Sequence, residues 1–138
     1  MTVTLNPYIS FNGDARQAME FYAQVFGGEL KTNTFGEFGG ADEAYADKIM
    51  HAQLEAEGGL TLMGADTGPG MEHNPGTNIS VSLSGDDDAK LHGYWDKLSE
   101  GATVTMPLEK QLWGDVFGML VDRFGINWMV NIVQPQAS

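Results

Sequence analysis

Cysteine is absent from the sequence. Its absence removes disulfide frameworks, thiolate nucleophiles and thiolate metal centres together, and leaves the redox compartment unmarked. Basic residues are scarce: 7 Lys and Arg stand against 19 Asp and Glu, for a formal net charge of -12. Binding to a phosphate backbone needs clustered Lys and Arg, so no nucleic-acid partner is expected. No run approaches the ~18 apolar residues of a membrane-spanning helix. The N-terminus also lacks the charged and apolar regions of a signal peptide. No membrane partner is expected, and a cytoplasmic location is the default. Only 3 His are present, so imidazole chemistry has few places to sit. What remains is 138 residues, enough for one compact domain with its own core.

The pattern along those residues is a repeat. Asn6 to Phe11 reads as a strand with Ile9 and Phe11 on one face and Asn6, Tyr8 and Ser10 on the other. Asn12-Gly13-Asp14 turns the chain, with Asp14 a natural helix N-cap. Ala15 to Phe26 is predicted helical: Ala18, Phe21, Tyr22 and Val25 make one apolar stripe, and Gly27-Gly28 ends it. Glu29 to Phe35 reads as a strand. Gly36 to Ala46 is Gly-rich and acidic, with Phe38 and Tyr45 inside it, and reads as a loop that either connects or covers a pocket. Lys48 to Ala56 alternates, with Met50, Ala52, Leu54 and Ala56 facing one way and His51, Gln53 and Glu55 the other. Leu60 to Met63 follows. Gly64 to Gly76 carries four Gly and two Pro and is too irregular for an element.

The pattern then restarts. Asn78 to Leu83 alternates, with Ile79, Val81 and Leu83 on one face. Gly85-Asp86 repeats Gly13-Asp14 at a spacing of 72, and Tyr94-Trp95 repeats Phe21-Tyr22 at 73. The second helix carries Leu91, Tyr94, Trp95 and Leu98 at helical spacing and ends at Gly101. Ala102 to Met106 is a predicted strand and Pro107 to Gln111 a loop. Leu112 to Val121 and Ile126 to Val133 form a hairpin around Asp122-Arg123-Phe124-Gly125. In its second run Ile126, Trp128, Val130 and Ile132 alternate with Asn127, Met129 and Asn131. An internal duplication outweighs any single motif. Each half reads β-α-β-β-β, an α+β unit whose mixed sheet carries one helix on one face. The opposite face would curve round a cavity.

On Phe11-Asn12-Gly13-Asp14-Ala15, Glu20-Phe21-Tyr22, Val25-Phe26-Gly27-Gly28, Ile49-Met50-His51-Ala52, Trp113-Gly114 and Asp122 to Trp128, the chain resembles the vicinal-oxygen-chelate superfamily. That superfamily holds glyoxalase I, bleomycin-resistance proteins and extradiol dioxygenases. Within it the PhnB-like branch is the more similar. The resemblance implies two βαβββ modules forming an open, barrel-like mixed sheet around a cavity, usually in a homodimer. It makes residues 1–138 a single glyoxalase/bleomycin-resistance-like domain, with modules at about 1–66 and 77–138 and a linker at 67–76. The superfamily's four metal-ligand positions fall on Asn6, near Gln53, on Asn78 and on Met129. Neutral amides and a thioether are poor ligands for Zn, Ni or Fe, so no metal and no other cofactor is expected.

Read from the residues, His51 is the His on the expected cavity face, and an imidazole there serves as a general base or as a structural hydrogen-bonding group. His51 and Glu55 are the candidate catalytic residues, although four strand residues separate them by ~13 Å. His73, in the linker, and His92, on the polar side of the second helix, are expected in solvent. Asn6, Tyr8, Gln53, Asn78, Trp113 and Met129 are the candidate ligand-binding residues, with Phe117 beside Trp113. No Gly-rich loop follows a first parallel strand, so no nucleotide-type methyl donor site is expected. The expected function is binding of a small organic ligand by a likely homodimer without a bound metal. The alternative is a metal- or His-dependent lyase, isomerase or dioxygenase.

Overall fold

The structure is a computed structural model that describes residues 3–38, 45–68 and 71–134. Most of the loop expected over 36–46 therefore lies outside the described residues. The chain divides into two compact units, residues 1–75 and 76–138. The first contains β1 (Tyr8–Phe11), α1 (Ala15–Phe26), β2 (Glu29–Thr34), a 3-10 turn (Gly36–Phe38), β3 (Ile49–Ala56) and β4 (Leu60–Asp66). The second contains β5 (Val81–Gly85), α2 (Asp88–Leu98), β6 (Thr103–Lys110), β7 (Val116–Val121) and β8 (Asn127–Ile132). Each is a βαβββ unit. The sheets run β1-β4-β3-β2 and β5-β8-β7-β6, and neither closes on itself. In each, the first strand pairs in parallel with the last, and the other pairings are antiparallel.

The apolar stripes explain both layers. On α1 Ala15, Ala18, Met19, Phe21, Tyr22 and Val25 are buried. They cover a sheet face carrying Phe11, Ile49, Ala52, Leu54 and Leu62. On α2 the whole predicted stripe, Leu91, Tyr94, Trp95 and Leu98, is buried. It packs over Leu83, Leu120, Trp128, Val130 and Ile132. Successive strand residues face opposite ways, so the same alternation sends Tyr8, His51, Gln53 and Glu55, or Asn127, Met129 and Asn131, to the face away from the helix.

Several local expectations are corrected by tertiary contacts. Asn33 pairs with His51 and Thr34 with Ile49, so Met50 is an extra residue in β3. This β-bulge shifts the alternation by one. Ile49 is fully buried in place of Met50, while His51 keeps its expected face. β4 runs on through Gly64, Ala65 and Asp66, which the sequence pattern assigned to an irregular segment. A Cβ on Gly64 would sit 3.0 Å from the Phe11 ring and 3.2 Å from Met19 Sδ, so this glycine lets β1 and α1 approach rather than breaking the strand. β6 likewise continues past Met106 through Pro107 to Lys110, with register irregularities on both sides of Met106. It is an edge strand, where a residue without an N–H is tolerated.

Ile79 precedes β5 and is 77% exposed, so it does not join Val81 and Leu83 against the helix. Asp14 occupies the N-cap position of α1, but its side chain makes no capping bond. Asp66, 6% exposed, supplies the carboxylate from across the unit. Its Oδ1 accepts from Ala15 N and its Oδ2 from Ile49 N, both at 2.9 Å. In α2 the cap is Asp87, which accepts from Lys90 N. Asp122 organises the last hairpin. Its Oδ1 accepts from Phe124 N and Ile126 N, and its Oδ2 from Trp128 Nε1 at 2.8 Å.

Candidate functional site

In the first unit β3 brings the chemistry to one face. His51, Gln53 and Glu55 alternate with buried Ala52 and Leu54. Across the ladders, Gln53 is opposite Lys31 of β2 and Met63 of β4, and Glu55 is opposite Glu29 and Thr61. Asn33 is opposite His51, and Tyr8 of β1 is opposite Met63. The polar side chains are linked in series. Tyr8 Oη lies 3.2 Å from His51 Nδ1, with the two rings 5.7 Å apart. His51 Nε2 lies 3.5 Å from Gln53 Oε1. Gln53 Nε2 donates to Glu55 Oε1 at 2.9 Å. Tyr8 is half exposed, yet desolvation of its hydroxyl raises its pKa above the ordinary phenol value.

His51 and Glu55 are thus not independent groups at opposite ends of a strand. Gln53 connects them, and Tyr8 extends the series to the neighbouring parallel strand. The sequence pattern placed all four on the expected cavity face. The Tyr8 contact depends on strand order, which no local pattern carries.

Other candidates sit apart. Asn6 precedes β1 and its amide donates to Pro7 O. Asn78 precedes β5 and is exposed. Two of the four superfamily metal positions therefore lie outside the strands, and the donors at all four are neutral amides or a thioether. That set does not fit Zn, Ni or Fe. Among the described residues no three His, Cys, Asp or Glu gather into a metal-binding group.

In the second unit Met129 is on the face away from α2, in a cross-strand row with Met106, Met119 and Ser82. Trp113, in the β6–β7 loop, is exposed and packs edge-on against Phe117 with ring centres 5.7 Å apart. Asn131 donates to Asp115 Oδ2 at 3.0 Å. His73 is not in open solvent as expected, because its Nδ1 lies 3.1 Å from Thr67 Oγ1. His92 remains on the outer face of α2, with Nδ1 3.0 Å from Asp88 O.

A family model for 3-demethylubiquinone-9 3-methyltransferase matches residues 3–131. The chain belongs to that family. Protein PA1353 from Pseudomonas aeruginosa is 38% identical, with a TM-score of 0.87 over 97% of this chain and 100% of that one. The PhnB protein of Bacillus cereus, 21% identical, has a TM-score of 0.74 over 95% of this chain and 100% of its own. A glyoxylase/bleomycin resistance protein/dioxygenase domain from a Frankia species shares the fold at 15% identity, with a TM-score of 0.66 over 99% and 96% of the two chains. The chain thus shares its fold with the PhnB protein and with the glyoxalase/bleomycin-resistance/dioxygenase domain.

The methyltransferase of the family's description calls for a methyl donor, and the helix starts of this chain do not fit a nucleotide-type cradle. The β1–α1 turn holds a single glycine, Gly13, and the first amide of α1 is taken by Asp66. An early amide of α2 is taken by Asp87. A Gly-rich turn with unclaimed amides is what such a cradle requires.

Proposed function

We propose that this chain is a small-molecule-binding protein of the glyoxalase/bleomycin-resistance type, taking an uncharged or weakly polar organic ligand on the face of the first sheet turned away from α1. The observation carrying this reading is the hydrogen-bonded series Tyr8, His51, Gln53 and Glu55, which gathers donors and acceptors on one sheet face. The ligand meets Tyr8 and His51. No Zn, Ni or Fe is held at Asn6, Gln53, Asn78 and Met129, because their donors are too weak for those ions. The protein works in the cytoplasm as a homodimer, a state supported by exposed Val104 and Met106 on edge strand β6. Among the described residues no helix is long and apolar enough to cross a membrane.

The Tyr8–His51 contact favours a second reading, an enzyme that moves protons through His51. Elemental analysis of protein purified without chelator, followed by a thermal-shift screen of small organic compounds, tests the first reading. Metal-free protein stabilised by uncharged ligands, with the shift lost in His51→Gln, is the expected result. Near-stoichiometric transition metal that is lost on replacing His51 or Glu55 would overturn it.

A further inference from the structure

We infer that His51 is held as its Nε2–H tautomer, so that Tyr8 and His51 form a proton-accepting pair for a ligand bearing a weakly acidic hydroxyl, a phenol or an enol. This rests on the ligand-binding face proposed above and names the chemistry of its ligand.

Glu55 sets the orientation of the series. An ionised carboxylate only accepts hydrogen bonds. The 2.9 Å contact from Gln53 must therefore come from the amide NH2, which orients the whole group. Gln53 Oε1 is then the atom facing His51 Nε2 at 3.5 Å. A carbonyl oxygen also only accepts, so Nε2 carries the ring hydrogen. In a neutral imidazole that leaves Nδ1 bare. Nδ1 is 3.2 Å from Tyr8 Oη, and Tyr8 donates its O–H there. The Tyr8 oxygen keeps its lone pairs for the outside, and the residue is 52% exposed. An arriving ligand finds an acceptor at this point rather than a donor.

The proton step balances without a co-reactant. The ligand O–H bond breaks as its proton passes to the Tyr8 oxygen. The original Tyr8 O–H bond breaks as that proton passes to His51 Nδ1. The products are a ligand oxyanion receiving the new Tyr8 O–H and an imidazolium whose Nε2–H faces the Gln53 carbonyl. Gln53 and Glu55 are positioning residues, because they act through His51. Among the described residues, the groups beside the series on this face include Lys31 and Glu29 of β2, with the uncharged Ser10, Asn33, Met63 and Thr61.

Long-range proton–nitrogen NMR on the full chain without ligand reads the tautomer directly, with His51→Gln assigning the signal. The Nε2–H pattern is expected, and Gln53→Leu should reduce its share while Tyr8 still holds Nδ1. A dominant Nδ1–H pattern in the parent would overturn the inference. The second arm uses 4-nitrophenol, which is coloured only as its anion. The -12 net charge by itself disfavours that anion. A bound phenol that is nonetheless roughly tenfold more ionised than free phenol at the same pH reports a local proton acceptor. His51→Gln should remove this excess, and Lys31→Met should retain it. Binding without excess ionisation, or an excess that follows Lys31 instead, would overturn the proton-accepting pair alone. No binding at millimolar phenol would overturn the pair as a ligand site and count against the binding face itself.

Discussion

Replacing Asp66 by Ala removes a carboxylate that accepts from two backbone N–H groups, Ala15 and Ile49, each at 2.9 Å. Asp66 is 6% exposed, so water is poorly placed to replace it. A buried donor left without a partner costs ~1–3 kcal/mol, so two orphans give ~2–6 kcal/mol. Against a total stability of ~5–15 kcal/mol for an ordinary domain, that is a large fraction. Asp66→Asn is the informative control. Its carbonyl serves one N–H while its NH2 confronts the other, so the loss should fall to ~1–3 kcal/mol. Urea unfolding followed by Trp fluorescence measures both, with the slope expected to stay constant because the buried surface is unchanged. The order Ala worse than Asn is the signature of the double cap. An Ala variant within ~0.5 kcal/mol of the parent, the range of an ordinary surface change, would refute the role given to Asp66.

Phe21→Ala and Trp95→Ala should each lower stability by ~3–5 kcal/mol, since each ring is buried under its helix, and an unmoved urea midpoint would contradict the packed faces. Tyr8 has a raised pKa, so the folded state favours the neutral phenol. The stability linked to it is complete below the ordinary phenol value and is lost as pH rises through the raised one. Tyr8→Phe should therefore soften the alkaline loss of stability, and an identical alkaline limb in both proteins would count against it. Sedimentation at micromolar concentration should give a mass near two chains; a mass near one chain would remove the proposed homodimer.

Both helix stripes, the final hairpin and the duplicated βαβββ order are legible in the sequence. Each depends on spacing within a short window: 3.6 residues per turn for Leu91, Tyr94, Trp95 and Leu98, and two per repeat for Trp128, Val130 and Ile132. The shared face of His51, Gln53 and Glu55 was legible for the same reason. The tertiary structure decided everything that depends on a second segment. Gly64 and Pro107 look like breakers locally, yet one admits a neighbouring ring and helix and the other lies on a sheet edge. Met50 is a bulge only because β2 pairs with β3 out of step. Asp66 caps a helix that begins 51 residues earlier. Tyr8 meets His51 across 43 residues because β1 joins the sheet beside β4. Periodicity specifies which way a side chain faces, whereas its partners are set by register and strand order, which are properties of the whole sheet.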